Sequence, residues 1–260
     1  MDGLNAPSPF ERALRRNRLL VALSLAGVVG LAWLYLWRAA VSMHGADHAA
    51  MSMDMSASDP ATIALTFVMW VVMMAGMMLP SAAPTILLYA AMARKHAQQG
   101  TAFASAGIFV AGYLAVWTGF SLLAALLQTV LKHAELLTPM MSSASSELDA
   151  ALLLAAGVYQ LTPLKEACLS KCRDPVQFFM IHWRPGAAGA FRMGLRHGTY
   201  CVGCCWVLML LLFALGVMNL AWVALIAAFV LVEKLLPAGR VTSRLAGAAL
   251  IVVGLGVLAP

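Results

Sequence analysis

Long apolar runs separated by short polar stretches make up most of the chain. Several runs reach the roughly 20 residues that a helix needs to cross a hydrocarbon core of about 30 Å. Backbone polar groups must be satisfied inside a bilayer, which requires helices here because the period-2 alternation of barrel strands is absent. The pattern predicts an all-α, polytopic helical membrane protein with about seven transmembrane helices (six possible), at 18–37, 62–91, 103–131, 149–164, 199–218, 220–236 and 241–259.

The first apolar run is interpreted as a retained signal anchor. It follows four arginines, as the core of a signal peptide would, but it exceeds the usual length of about 7–15 residues and no small-x-small cleavage site follows. The predicted organisation is a cytoplasmic segment 1–17, a signal-anchor helix 18–37, an outer loop 38–61, a membrane core 62–236 and a C-terminal helix 237–260.

Composition and charge fit a membrane protein and set its orientation. The chain is 62% hydrophobic and 11% charged, which excludes an ordinary soluble domain. With seven spans and a cytoplasmic N-terminus, all Lys and Arg residues except Arg38 and Lys132 fall in inner segments, as the positive-inside rule requires. The C-terminus is then periplasmic. The net charge of +6 is explained by the anionic inner leaflet, so no nucleic-acid partner is expected.

All five cysteines lie in two tight clusters. Cys201, Cys204 and Cys205 stand at the mouth of the fifth apolar run, and Cys168 and Cys172 precede them at i, i+4 spacing. The polar loop between the clusters can close on itself at modest entropic cost. The predicted topology puts every thiol on the reducing cytoplasmic side, where thiols persist as metal ligands. Converging thiols would suit Cu(I), zinc or another soft metal.

The predicted outer loop is rich in methionine and histidine. Thioethers and imidazoles are ligands that copper accepts, and thioethers favour Cu(I). Capture of copper is favoured over a plain flexible linker because both residue types occur together. The candidate ligands here are Met43, His44, His48, Met51, Met53 and Met55.

A methionine stripe runs along the second predicted span. Met69, Met73 and Met77 recur every fourth residue, and Met74 and Met78 form a second, adjacent pair. A relay of Cu(I) sites and ordinary helix packing are equally good interpretations of this stripe. Pro80 and Pro84 predict a kink or break beyond the stripe. Farther along, Glu233 and Lys234 are expected to meet a partner or to reach the membrane surface, and they are assigned no chemistry.

A combination of motifs extends over about 60–236. The motifs are Met77-Met78-Leu79-Pro80, Tyr159-Gln160-Leu161-Thr162-Pro163-Leu164-Lys165, Cys168 and Cys172 before Pro175, Gly194 and Gly198, Cys201-Val202-Gly203-Cys204-Cys205-Trp206, and Glu233-Lys234. Together they resemble a known bacterial family of predicted metal-binding integral membrane proteins, which includes copper chaperones for tyrosinase-type polyphenol oxidases. The resemblance implies membrane-bound copper handling with all five cysteines as candidate ligands.

The preferred hypothesis is a copper chaperone or copper-transfer protein of the bacterial inner membrane, without catalytic turnover. Its expected partners are the metal ion, the lipid bilayer, and a copper-enzyme client or periplasmic metallochaperone. No phosphate-binding loop of the Walker type is present, so transfer would not use a nucleotide. The alternatives are a membrane thiol–disulfide oxidoreductase relay and a structural membrane subunit whose cysteines only pack.

Overall fold

A computed structural model describes residues 9–45, 60–100, 102, 104–138, 143–236 and 239–259. In these ranges the regular structure is helical, with one isolated β-bridge between Leu137 and Ser143. The helices in chain order are α1 (Pro9–Gly45), α2 (Pro60–Gln98), α3 (Ala106–His133), α4 (Ser146–Gln160), α5 (Pro163–Arg173), α6 (Pro175–His182), α7 (Gly186–Leu215), α8 (Leu220–Leu235) and α9 (Gly239–Leu258). The prediction of an all-helical chain is confirmed.

Within the described ranges, five helical segments are long and apolar enough to cross a membrane. They are Leu19–Val41 of α1, together with α2, α3, α7 and α9. The other two predicted spans correspond to α4, with 15 residues, and α8, with 16 residues. Both are shorter than the roughly 20 residues of a full crossing. The count of seven spans, the domain boundaries and the orientation stay predictions.

Helix α7 is the centre of the bundle. In the most apolar stretch of α7, 56% of the residues are buried, whereas the corresponding fraction in α1 is only 11%. Helix α7 packs most extensively against α3, and α5 and α4 also contact it. Helix α2 lies between α3 and α1 and also contacts α8, while α9 packs mainly against α4.

The polar stretch predicted as a loop at 165–198 is instead almost entirely helical, so that prediction is wrong. Two successive capping signals explain the difference. The Thr162 hydroxyl accepts the N–H of Lys165 ahead of α5, and the Asp174 carboxylate accepts the N–H of Gln177 ahead of α6. A proline follows each capping residue, at the position where its fixed φ favours helix initiation.

Helix α7 begins at Gly186, well before the predicted span start at 199. Cys201 therefore lies near the middle of a long helix and not at the mouth of an apolar segment. In the N-terminal half of α7, small residues pack against α3 and the arginines face outward. This mixture of small and charged residues lowers the hydrophobicity of the segment, and the sequence therefore suggested a loop. Helix α2 likewise continues through Pro80 and Pro84, so the predicted break is absent.

Glycines allow the backbones of α3 and α7 to touch. A Cβ placed on Gly112 would collide with the carbonyl oxygen of Phe191, and one on Gly194 would collide with that of Phe109. One turn later, a Cβ on Gly198 would stand 3.0 Å from the carbonyl oxygen of Tyr113. This is the small-xxx-small packing typical of membrane helices, and it fixes the depth of Cys201 relative to α3.

We predict that Gly112→Val destabilises the protein more than Gly119→Val, because overpacking a tight backbone contact costs about 1–3 kcal/mol. Gly119 is the matched control: it lies on the same helix, and a Cβ there meets nothing within 4 Å. Thermal unfolding in detergent micelles measures the difference. Equal midpoints for the two variants would contradict this account of the crossing.

Candidate metal centre

Four of the five thiols converge inside the bundle. Cys201, Cys204 and Cys205 of α7 are fully buried, and Cys172 of α5 is buried beside them. Its proximity to the thiols of Cys201 and Cys204, together with burial, raises the pKa of Cys172 well above its ordinary value.

Cys201 is the centre of this cluster. The ammonium Nζ of Lys234 donates to its sulfur at 2.9 Å, and the hydroxyl of Tyr113 lies 3.0 Å from the same sulfur. Lys234 also donates to the hydroxyl of Ser81 at 3.0 Å. An ammonium group in contact with a buried sulfur favours the thiolate, which is the form that binds metals.

A methionine thioether adjoins the thiols. The Cys205 sulfur lies 4.0 Å from Sδ of Met78 on α2. Cys204 and Cys205 both donate to the carbonyl oxygen of Cys201, at 3.1 and 3.0 Å. One small region thus contains soft sulfur donors from three helices.

Cys168 stands apart from this group. It is half-buried, and its sulfur lies against the backbone of Gly203, where an added Cβ would approach it to 2.8 Å. The hydroxyl of Tyr159 donates to the Gly203 carbonyl on the same side. Burial raises the pKa of Cys168. This residue therefore fixes the position of α5 against α7 in the structure.

The predicted methionine stripe is buried, and its role as a copper relay stays a prediction. Met69, Met73 and Met77 are all buried in the core. Successive helical residues are about 100° apart, so Met77 points about 100° away from Met78. Residues at i, i+4 share a face of a helix, so Met74, one turn before Met78, lies on the same face as Met78.

Most of the Met/His segment lies outside the described residues. His48, Met51, Met53 and Met55 fall in the range that the structure does not describe. Met43 and His44 belong to the C-terminal end of α1. The predicted copper capture by this segment stays a prediction.

Across the described part of the chain, no three Cys, His, Asp or Glu side chains form a preformed metal-binding group. The hydrogen bonds give the physical reason. Cys204 and Cys205 point their thiols at the backbone carbonyl of Cys201. Binding a metal requires these side chains to rotate toward Cys201, with loss of their thiol protons.

A second buried polar cluster supports the site. Glu233 accepts a hydrogen bond from Lys165 at 2.6 Å and another from Ser243 at 2.6 Å, and Lys165 also donates to Gln160. Lys165 and Glu233 are both about 1% exposed. Glu233 and Lys234 are therefore neither exposed nor at the surface, and Lys234 contacts a metal-ligand candidate. The expectation that this pair carries no chemistry is revised.

The sequence profile of the PpoB2 copper chaperones matches residues 67–257, a range that contains the whole thiol cluster and both buried lysines. The chain belongs to the PpoB2 copper chaperone family. This confirms the resemblance found in the sequence, and it gives the PpoB2 protein a metallochaperone role without catalytic turnover. No curated protein and no solved structure matches the chain significantly.

Sequence reasoning did not assign three side chains of the PpoB2 centre to the site. Lys234 had a usable signal, because a charge within an apolar run must find a partner inside the protein. Met78 was recognised with Met74 as the second pair of the methionine stripe, but only the every-fourth-residue row was selected as ligands. Tyr113 is an unremarkable aromatic residue of α3, and its proximity to Cys201 depends on the glycine crossing.

We predict that Lys165→Met costs about 3–5 kcal/mol of stability, because it leaves the buried Glu233 carboxylate without its cation. The double variant Lys165→Met/Glu233→Gln should recover most of that loss. Arg240→Gln is the control, since it removes an exposed ion pair with Glu166 that contributes about 0–1 kcal/mol. Chemical denaturation in mixed micelles measures all three. Additive effects of the Lys165 and Glu233 substitutions would contradict the pairing.

Proposed function

We propose that this PpoB2 protein is a membrane-embedded copper chaperone that holds Cu(I) at Cys201. Cys172, Cys204 or Cys205, and the thioether of Met78 complete the coordination. The observation that carries the proposal is the contact between Lys234 and Cys201 within a cluster of buried sulfurs in a copper chaperone family. The five long apolar helices support insertion in a membrane.

The donor set favours Cu(I) over other metals. Thiolates and thioethers are soft ligands that select Cu(I), and no hard carboxylate contacts Cys201 among the hydrogen bonds of the described residues. Zinc or another soft metal is the alternative cargo.

Charge also favours Cu(I). Two thiolates around one Cu(I) carry a net charge of about −1, which the ammonium of Lys234 neutralises inside the apolar bundle. Four thiolates around Zn²⁺ would carry about −2, and the buried Lys165 is already paired with Glu233. The site therefore contains the countercharge for a cuprous dithiolate.

Other segments of the protein suggest where copper is collected and to which proteins it is delivered. The Met and His residues at 43–55 would collect copper on the outer side, and the chaperone would hand its cargo to a copper-enzyme client or a periplasmic metallochaperone. The basic residues at the inner ends of the helices favour the bacterial inner membrane with the N-terminus in the cytoplasm.

We predict that purified protein binds one Cu(I) per chain at this site and that Cys201→Ser abolishes the binding. Cys205→Ser and Met78→Leu should weaken binding without unfolding the protein, since each removes one sulfur donor. Cys168→Ser is the matched control and should keep full copper content, because its sulfur faces Gly203. Elemental analysis and Cu–S X-ray absorption provide the readout. Full copper content in Cys201→Ser would reject the assigned centre.

We predict that Lys234→Met lowers Cu(I) affinity about tenfold or more, since a hydrogen bond to a charged group contributes about 1.5–3 kcal/mol. The apoprotein should still fold, because Cys201 can keep its thiol proton when the neighbouring cation is absent. Lys95→Met, an exposed lysine at the end of α2, is the control. Competition with a cuprous chelator of known affinity measures the change. Unaltered affinity would show that Lys234 does not compensate the charge of the site.

A further inference from the structure

Helix α7 carries two further metal-ligating side chains in line with Cys201. Met193 and His197 precede it at intervals of four residues, so each lies about one turn, or about 6 Å, from the next along the helix. Both residues are buried, with only 2% of each exposed. A thioether, an imidazole and a thiol therefore follow one another inside the bundle, and all three are ligand types that copper accepts.

The imidazole of His197 is enclosed by aromatic rings. The ring centroids of Phe178, Tyr113 and Phe109 lie 5.4, 5.8 and 6.1 Å from that of His197. Its Nδ1 atom is buried and has no hydrogen-bond partner among the described residues. A buried polar atom without a partner costs free energy, so packing alone would favour a phenyl ring at this position. A nitrogen that makes no hydrogen bond is instead available to a metal ion.

His197 also shares a neighbour with the proposed copper centre. Tyr113 packs against the His197 ring and places its hydroxyl 3.0 Å from the sulfur of Cys201. In addition, the i, i+4 spacing of His197 and Cys201 brings their Cβ atoms to about 5–6 Å from each other. A metal ion on the imidazole is therefore one ligand-exchange step away from the Cys201 sulfur.

The other end of this row meets an open cavity. The cavity has a volume of about 440 Å³, lies between the end of α6 and the N-terminal half of α7, and is lined by Met193 together with His182 and Thr199. A larger cleft of about 550 Å³ opens beside α5 at Ser170, but no Met, His or Cys is among the described residues that line it. The smaller cavity thus offers Cu(I) a soft ligand at its wall, and the larger cleft does not.

We infer that Met193 and His197 form the route by which Cu(I) passes between this cavity and the Cys201 centre. The inference rests on the proposed function and adds the path of the metal. Cu(I) binds the Met193 thioether first, then the His197 imidazole and finally Cys201. Because neighbouring ligands are one helical turn apart, each new bond can form before the old one is lost.

Each transfer is a ligand substitution without a redox step. A copper–nitrogen bond to His197 forms as the copper–sulfur bond to Met193 breaks. A copper–sulfur bond to Cys201 then replaces the bond to His197, and copper remains Cu(I) throughout. The thioether and the imidazole bind and leave as neutral groups, and the proton of the Cys201 thiol passes to the solvent.

The test is the rate of copper uptake by the full chain in detergent micelles, from the Cu(I)–acetonitrile complex. His197→Phe and Met193→Leu keep the approximate shape of each side chain and remove its donor atom. Each should slow uptake about tenfold or more, and tenfold corresponds to about 1.4 kcal/mol of barrier. Release to an excess of a cuprous chelator should slow by the same factor, because a route acts on both directions. Equilibrium affinity should stay that of the parent protein.

Two matched controls separate the route from general effects. Met209→Leu removes another buried thioether of α7, which lies beyond Cys205 and does not line the cavity, and it should leave both rates unchanged. Thr199→Trp narrows the cavity beside Met193 and should slow uptake. Ser170→Trp makes the same kind of change in the larger cleft and should not slow it.

Final copper content shows that each variant is folded and that its Cys201 centre is intact. Parent-like rates in His197→Phe and Met193→Leu would overturn the route. So would a lowered affinity with unchanged rates, which would make His197 a ligand of the centre itself, and so would equal slowing by Met209→Leu, which would indicate a packing effect. Slowing by Ser170→Trp alone would overturn it in favour of the larger cleft. A parent protein that binds no copper would reject the proposed function together with the route.

Discussion

The contact between Lys234 and Cys201 is the interaction on which the centre depends. An ammonium group buried in an apolar bundle is costly unless a negative partner lies beside it, and a buried thiolate is costly without a cation. The two residues satisfy each other at 2.9 Å, with Ser81 and Tyr113 completing the polar contacts. The bundle thus holds a cation against the Cys201 sulfur, where it can compensate the negative charge of a metal-bound thiolate.

The neighbouring ion pair explains why Lys234 is held in place. Glu233 and Lys234 are adjacent on α8 but contact different partners, Lys165 of α5 on one side and Cys201 of α7 on the other. Rotation of α8 would break both contacts at once. The structural pair and the metal-ligand candidate are therefore coupled through the backbone of a single helix.

Much of the fold could be predicted from the sequence, because apolar run length dictates helices in a bilayer and charge asymmetry indicates their orientation. The helices of the polar segment 165–198 could not be predicted in this way. They depend on the local caps Thr162 and Asp174 and on glycine packing against α3. The cysteines were identified by their clustering alone. The roles of Met78 and Tyr113 at Cys201 and Cys205 were not assigned, because they arise from the rotational setting of α2 and α3 around α7.

The shortness of α8 has a consequence for access to the centre. Its 16 residues rise about 24 Å, and the 15 residues of α4 about 22 Å, against a hydrocarbon core of about 30 Å. In a bilayer, lipids beside these helices would have to compress to avoid exposing polar helix ends. Because Lys234 of α8 contacts Cys201, such thinning would bring water closer to the buried sulfur beside α8 than along the long helices α2 and α3.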